Sequence, residues 1–202
     1  MSKEDVKKKE YELEFENIKK DFNSQGYKEK DVTIKSGKAM IMGVLYSLPF
    51  VIVLGLIYRF FLIDRAYLSE ATGITFYIMF ILIIAISVIV HELLHGIGWA
   101  ISSKKGWKVV RFNISAMMPS CACKTPLTKR QYLIGVLLPF IVLGIGSIIF
   151  LFVYPGTVSV LTMAVNFIAA GGDLIIAFKV LKEKNALITD HPTKAGYVAF
   201  YK

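Results

Sequence analysis

The chain has 202 residues, 55% of them hydrophobic and 19% charged, with a mean hydropathy of +0.56. Soluble domains carry about 25% charged residues, and here the charges are also segregated: residues 1–38 hold 19 of them while long later stretches hold none. The net charge of +9 would suit nucleic acid, but the ten Lys/Arg and nine Asp/Glu of residues 1–38 nearly cancel, so a bilayer and no nucleic acid is the expected partner.

Residues 1–38 read as a cytosolic, charged N-terminal segment. Tyr11, Leu13, Phe15, Ile18 and Phe22 give it a weak apolar stripe, which predicts a surface-lying helix. The segment has no apolar core of the kind a signal peptide needs, so the first span is expected to act as its own insertion signal. Four apolar runs follow within a membrane-embedded domain over 39–202: residues 40–63, 73–102, 132–154 and 157–180. Each exceeds the roughly 20 residues that cross a bilayer as a helix. Arg59 lies near one end of the first run, where it can snorkel.

The loops set the expected orientation. Residues 64–72 carry one basic residue, Arg65, whereas residues 103–131 hold Lys104, Lys105, Lys108, Arg111, Lys124, Lys129 and Arg130 and no acid. By the positive-inside rule, both termini, the 103–131 loop and the 181–202 tail are cytoplasmic. The alternating, β-branched stretch at 107–114 predicts a short strand, Pro119, Cys121, Cys123 and Pro126 break the pattern after it, and the element is expected as a small cytosolic hairpin or an edge strand at the membrane surface; Leu187-Ile188-Thr189 is also strand-like. The fold class is therefore mainly α: an integral membrane protein with about four transmembrane helices and a small β element.

The chemistry sits in His91-Glu92-Leu93-Leu94-His95, inside the second span. Four helical residues turn the chain by about 40° past one revolution and raise it about 6 Å, so both rings can reach one metal. Zinc bound there would lower the pKa of a water toward ~7. Glu92 would take the proton as hydroxide attacks a carbonyl, then hand it to the leaving amine. HExxH also arises by chance on soluble helices, but two histidines and a glutamate in an apolar span are costly unless paired or bound. Zinc needs a third protein ligand, and the only acidic residue between Glu92 and Glu183 is Asp173 in the fourth span. Both spans run the same way and place these groups at similar depth, with Gly96, Gly98 and residues 169–172 small enough for close approach. Asn166, seven residues before Asp173, shares its face. It is a donor to a substrate carbonyl or oxyanion, or else an interhelical hydrogen bond. Cys121 and Cys123, too close for a comfortable disulfide, read as inert turn residues rather than ligands, and His191 in Asp190-His191-Pro192 as a turn residue.

HELLH in a membrane helix with a distal aspartate resembles the site-2 protease class of intramembrane metalloproteases, although no Pro precedes Asp173 and no Gly follows it. Residues 40–200 more closely resemble the DUF3267 group of bacterial zincin peptidases. That resemblance rests on His91 to Gly96, Cys121-Ala122-Cys123-Lys124-Thr125-Pro126-Leu127, the stretch Gln131 to Gly144, Gly172-Asp173 and Asp190-His191-Pro192. It implies a zinc membrane peptidase. By analogy with site-2 proteases, the strand near 107–114 would pair with an unwound substrate segment. The expectation is a multi-pass inner-membrane zinc metalloprotease cutting membrane-associated protein or peptide substrates near the cytoplasmic leaflet, with Glu92 catalytic and His91, His95 and Asp173 on Zn2+. Its rivals are a zinc hydrolase of a non-peptide substrate and a non-catalytic, metal-stabilised membrane adaptor. The oligomeric state stays open.

Overall fold

The computed structural model describes residues 3–66, 73–115 and 118–202. Most of the expected 64–72 loop and residues 116–117 of the basic loop lie outside them. All four apolar runs are helical. α2 (Ser36–Ile57) continues through a π-helical turn at Tyr58–Leu62 and a short 3-10 turn to Arg65. α3 (Ile74–Ser102) is unbroken. α4 (Lys129–Pro139) passes through a π-helical segment, Phe140–Ile145, into α5 (Gly146–Val153). α6 (Thr157–Lys182) completes the bundle. These four rods are long and apolar enough to cross a membrane.

The remaining secondary structure lies at the end of the bundle where α3 and α6 finish and α2 and α4 start. β2 (Val110–Ser115) and β3 (Met118–Cys123) pair as an antiparallel hairpin. The expected strand begins three residues late, because Gly106–Val109 forms a 3-10 turn that buries Val109. The β structure also extends beyond that hairpin. β1 (Lys28–Ile34), β6 (Ala195–Tyr201), β5 (Ala186–Asp190) and the two-residue β4 (Leu127–Thr128) form a four-stranded antiparallel sheet in that order. β1 runs along β6 from Lys28 opposite Tyr201 to Ile34 opposite Ala195, so the charged N-terminal segment is stitched to the C-terminal tail.

α1 (Lys3–Ser24) lies on this sheet. Tyr11 and Phe15 are buried, and Ile18 and Phe22 pack beside Phe15 against Val198 and Phe200. These four positions share a helical face; Leu13, two residues from Tyr11, points the other way and is exposed. A second junction, built on Val109, Cys123, Tyr132, Val180, Ile188 and Tyr197, joins sheet, hairpin and helix ends. At its edge the buried carboxylate of Glu183 receives Lys30 Nζ at 3.0 and 3.1 Å, Tyr197 Oη at 2.8 Å and Tyr201 Oη. Burial alone would raise its pKa, but these donors outweigh it and hold the carboxyl below its ordinary range.

Candidate metal centre

α3 turns Ser87, His91, His95 and Trp99 onto one buried face, the i, i+4 spacing that stacks side chains along a helix. That face meets α4 and α6. The α3–α4 crossing is very tight: a methyl group on Gly98 would lie 2.6 Å from the Cα of Gly135. Side chains of α3 reach across it to carbonyls of α4. Ser102 Oγ donates to Gln131 O at 3.1 Å, Trp99 Nε1 to Tyr132 O at 3.0 Å, and His95 Nδ1 lies 2.9 Å from Gly135 O. The His95 ring also stacks on Trp99, with centroids 5.4 Å apart and planes 15° from parallel.

With its Nδ1 held this way, His95 directs Nε2 into the bundle, where it lies 3.2 Å from His91 Nε2. Asp173 of α6 enters from the other side. Its Oδ2 is 3.0 Å from His91 Nε2 and its Oδ1 3.5 Å from His95 Nε2. A carboxylate and two ring nitrogens thus converge, all within 4.8 Å of one another. Zinc bonds of about 2.1 Å at tetrahedral angles would separate ligand atoms by roughly 3.4 Å, close to these spacings. Asp173 Oδ2 is buried and has no hydrogen-bond partner despite its neighbour at 3.0 Å, an orphaned polar atom that a bound cation would satisfy. Two imidazoles and a carboxylate form a nitrogen–oxygen set that suits zinc and leaves a fourth position free. The residues present fit the metal.

Glu92 is half-buried on the neighbouring face and does not join the cluster. Its Oε2 accepts from the backbone N–H of Cys121 at 2.5 Å, tying the carboxylate to β3. The hairpin rests on α3 at Gly96, where a methyl group would come within 2.7 Å of Phe112, 3.1 Å of Trp107 and 3.3 Å of Cys121 Sγ. The absence of a side chain there lets the hairpin lie over the helix one turn below Glu92.

The other sequence candidates fall elsewhere. Asn166 is buried on α6, seven residues or about 10 Å of rise before Asp173, and its Oδ1 has no partner. Neither cysteine is in the three-ligand cluster. Burial, reinforced by nearby carboxylates, pushes both thiols well above the ordinary range, away from the thiolate a metal needs. His191 closes a turn, its Nδ1 accepting from the N–H groups of Thr193 and Lys194 at 3.2 Å each.

Sequence reasoning did not reach the second layer. Asp190 of β5 accepts from Cys123 N at 2.6 Å and from Tyr132 Oη, and Thr189 Oγ1 donates to Cys123 O at 2.7 Å. These bonds hold the hairpin, the sheet and α4 in one register behind the cluster.

A family model described as "Putative zincin peptidase", DUF3267, matches residues 84–188, just over half of the 202-residue chain. The chain belongs to this family. No curated protein and no solved structure matches it. The matched range starts two turns before His91 and ends in β5, so it holds every residue of the cluster and the whole hairpin. The family's zincin description implies zinc, and His91, His95 and Asp173 form a group able to bind a metal.

Proposed function

We propose that this family member is a membrane-embedded zinc metalloprotease of the HExxH type that hydrolyses peptide bonds of membrane-associated protein or peptide substrates near the cytoplasmic leaflet. The observation that carries this reading is the convergence of His91 Nε2, His95 Nε2 and the Asp173 carboxylate beside Glu92. His91, His95 and Asp173 would hold the metal. A zinc ion bound there supplies Lewis acidity and brings the ionisation of water toward neutral pH. Glu92 Oε1 takes the proton released as water adds to the scissile carbonyl carbon, and returns it to the nitrogen as the C–N bond breaks. The Cys121 N–H steadies that carboxylate without occupying its second oxygen. Asn166 offers N–H donors to carbonyls of a substrate lying along α6.

Embedding is supported by the outer faces of the bundle. Ile41, Phe50, Ile78, Ile81, Ile86 and Ile149 are all exposed apolar side chains, a surface that water would not tolerate and lipid would. Orientation is supported by charge. Lys35, Lys38, Lys104, Lys105, Lys129 and Lys182 ring the sheet end of the bundle, which suits a bacterial inner membrane with this end and both termini in the cytoplasm. In this reading residues 39–202 are the metallopeptidase domain and residues 1–38 the cytosolic segment that braces it.

The test is zinc stoichiometry together with substrate proteomics. Purified protein should carry one zinc, lost in His91→Ala and kept in Glu92→Gln. Membrane peptides cleaved by wild type should persist with Glu92→Gln. Equal zinc in wild type and His91→Ala would end the metal assignment. Cleavage products unchanged by Glu92→Gln would end the protease assignment and leave a non-peptide hydrolase or an adaptor.

A further inference from the structure

His95 can present Nε2 to the cluster as a neutral ligand only if its single hydrogen sits on Nδ1. Its ring neighbour at Nδ1 is the Gly135 carbonyl at 2.9 Å, which can only accept. A mid-helix carbonyl is normally taken by the amide hydrogen four residues on. For Gly135 that residue is Pro139, which has no amide hydrogen. The following amide does not replace it: Phe140 N–H bonds Leu137 O, and the chain then enters the π-helical segment Phe140–Ile145. Gly135 O is therefore a buried acceptor that its own helix leaves without a partner, and a buried carbonyl of this kind needs one. The contact between Gly98 and Gly135 brings α3 close enough for His95 to supply it.

We propose that Pro139 and Gly135 form a positioning device for the metal site. Pro139 frees the Gly135 carbonyl, and that carbonyl locks His95 in the Nδ1–H tautomer with Nε2 aimed at His91 and Asp173. Ligating histidines commonly donate their second ring N–H to an outer partner. The particular assignment here is a backbone acceptor created by a proline one turn away on a neighbouring helix. This inference rests on the metal-site reading and deepens it.

The experiment is Pro139→Ala in the full chain, with Pro49→Ala in α2 as the control proline within a span. The new amide at 139 competes for Gly135 O and draws it back along the helix axis. Zinc affinity by chelator competition is expected to fall about 10-fold in Pro139→Ala and to stay at the wild-type value in Pro49→Ala. Nitrogen NMR of 15N-histidine protein reads the tautomer directly, since the chain has only three histidines. In the zinc-loaded wild type the His95 signals, identified by their loss in His95→Gln, should report hydrogen on Nδ1. Hydrogen on Nε2 overturns the proposal with no variant needed, even if Pro139→Ala fails to fold. Wild-type zinc affinity in Pro139→Ala, or an equal loss in Pro49→Ala, also overturns it. If His95→Gln keeps full zinc affinity, the metal-site reading itself fails; if His95→Gln loses zinc while Pro139→Ala does not, only this inference fails.

Discussion

Replacing Gly98 with alanine tests whether the α3–α4 crossing sets the metal site. The added methyl group would sit 2.6 Å from Gly135 Cα and 3.0 Å from Ile134 O. Carbon atoms pack at about 3.5–4.0 Å, so the two backbones must separate by about 1 Å. The His95 Nδ1 to Gly135 O distance, 2.9 Å in the native crossing, would then exceed hydrogen-bonding range. Leaving that buried pair unsatisfied costs about 1–3 kcal/mol, and overpacking adds about 1–3 kcal/mol. Better helix propensity returns about 1 kcal/mol, so the net loss is about 3 kcal/mol. Zinc affinity should fall about 10-fold as His95 loses its orienting partner. Thermal unfolding with excess zinc and with chelator, together with zinc competition, measures both effects. Gly172→Ala is the matched control: it adjoins Asp173, but a methyl group there meets nothing within 4 Å. It should be neutral or stabilising by up to about 1 kcal/mol. Wild-type stability and zinc affinity in Gly98→Ala, or equal damage from Gly172→Ala, would refute the reasoning.

Two further outcomes concern metal and protons. Chelating the metal should lower the melting temperature, with zinc at 100 times its dissociation constant restoring about 2.7 kcal/mol; an unchanged melt on chelation would mean that the cluster binds no ion tightly. Burial lifts the Asp190 carboxyl from 3.8 to about 6, so the folded state holds its proton more tightly than the unfolded chain does. The cost of the buried charge is therefore in force above pH 6 and disappears as pH falls through 6 toward 4. It amounts to about 3 kcal/mol, from a shift of about two units. Wild type should gain stability relative to Asp190→Asn between pH 7.5 and 4.5 in melts of the two proteins; a pH-independent difference would show that Asp190 is not the titrating group.

The four rods were legible because hydropathy over about 20 residues is a local property, and each helix lies within a residue or a turn of its apolar run. The HELLH pair was legible for the same reason, since helical spacing alone puts His91 and His95 on one face. Asp173 was reached by elimination and depth. β1 was not legible: Lys28-Glu29-Lys30-Asp31 looks solvated, and these residues are exposed on an edge strand, where charge is a common feature. Its strand character comes from β6, more than 160 residues away.

Chain composition thus decided, by itself, that the molecule has four apolar rods and that one of them carries two histidines and a glutamate on adjoining faces. These follow from hydropathy and the 3.6-residue repeat, which neighbouring residues determine among themselves. Only the tertiary structure decided that Asp173 lies 3.0 Å from His91, that Cys121 N–H holds Glu92, and that Gly135 O orients His95. Two of these partners are backbone groups, which every residue carries alike, so no side-chain pattern marks them. Close packing of rods and hairpin picks out which backbone group meets which side chain.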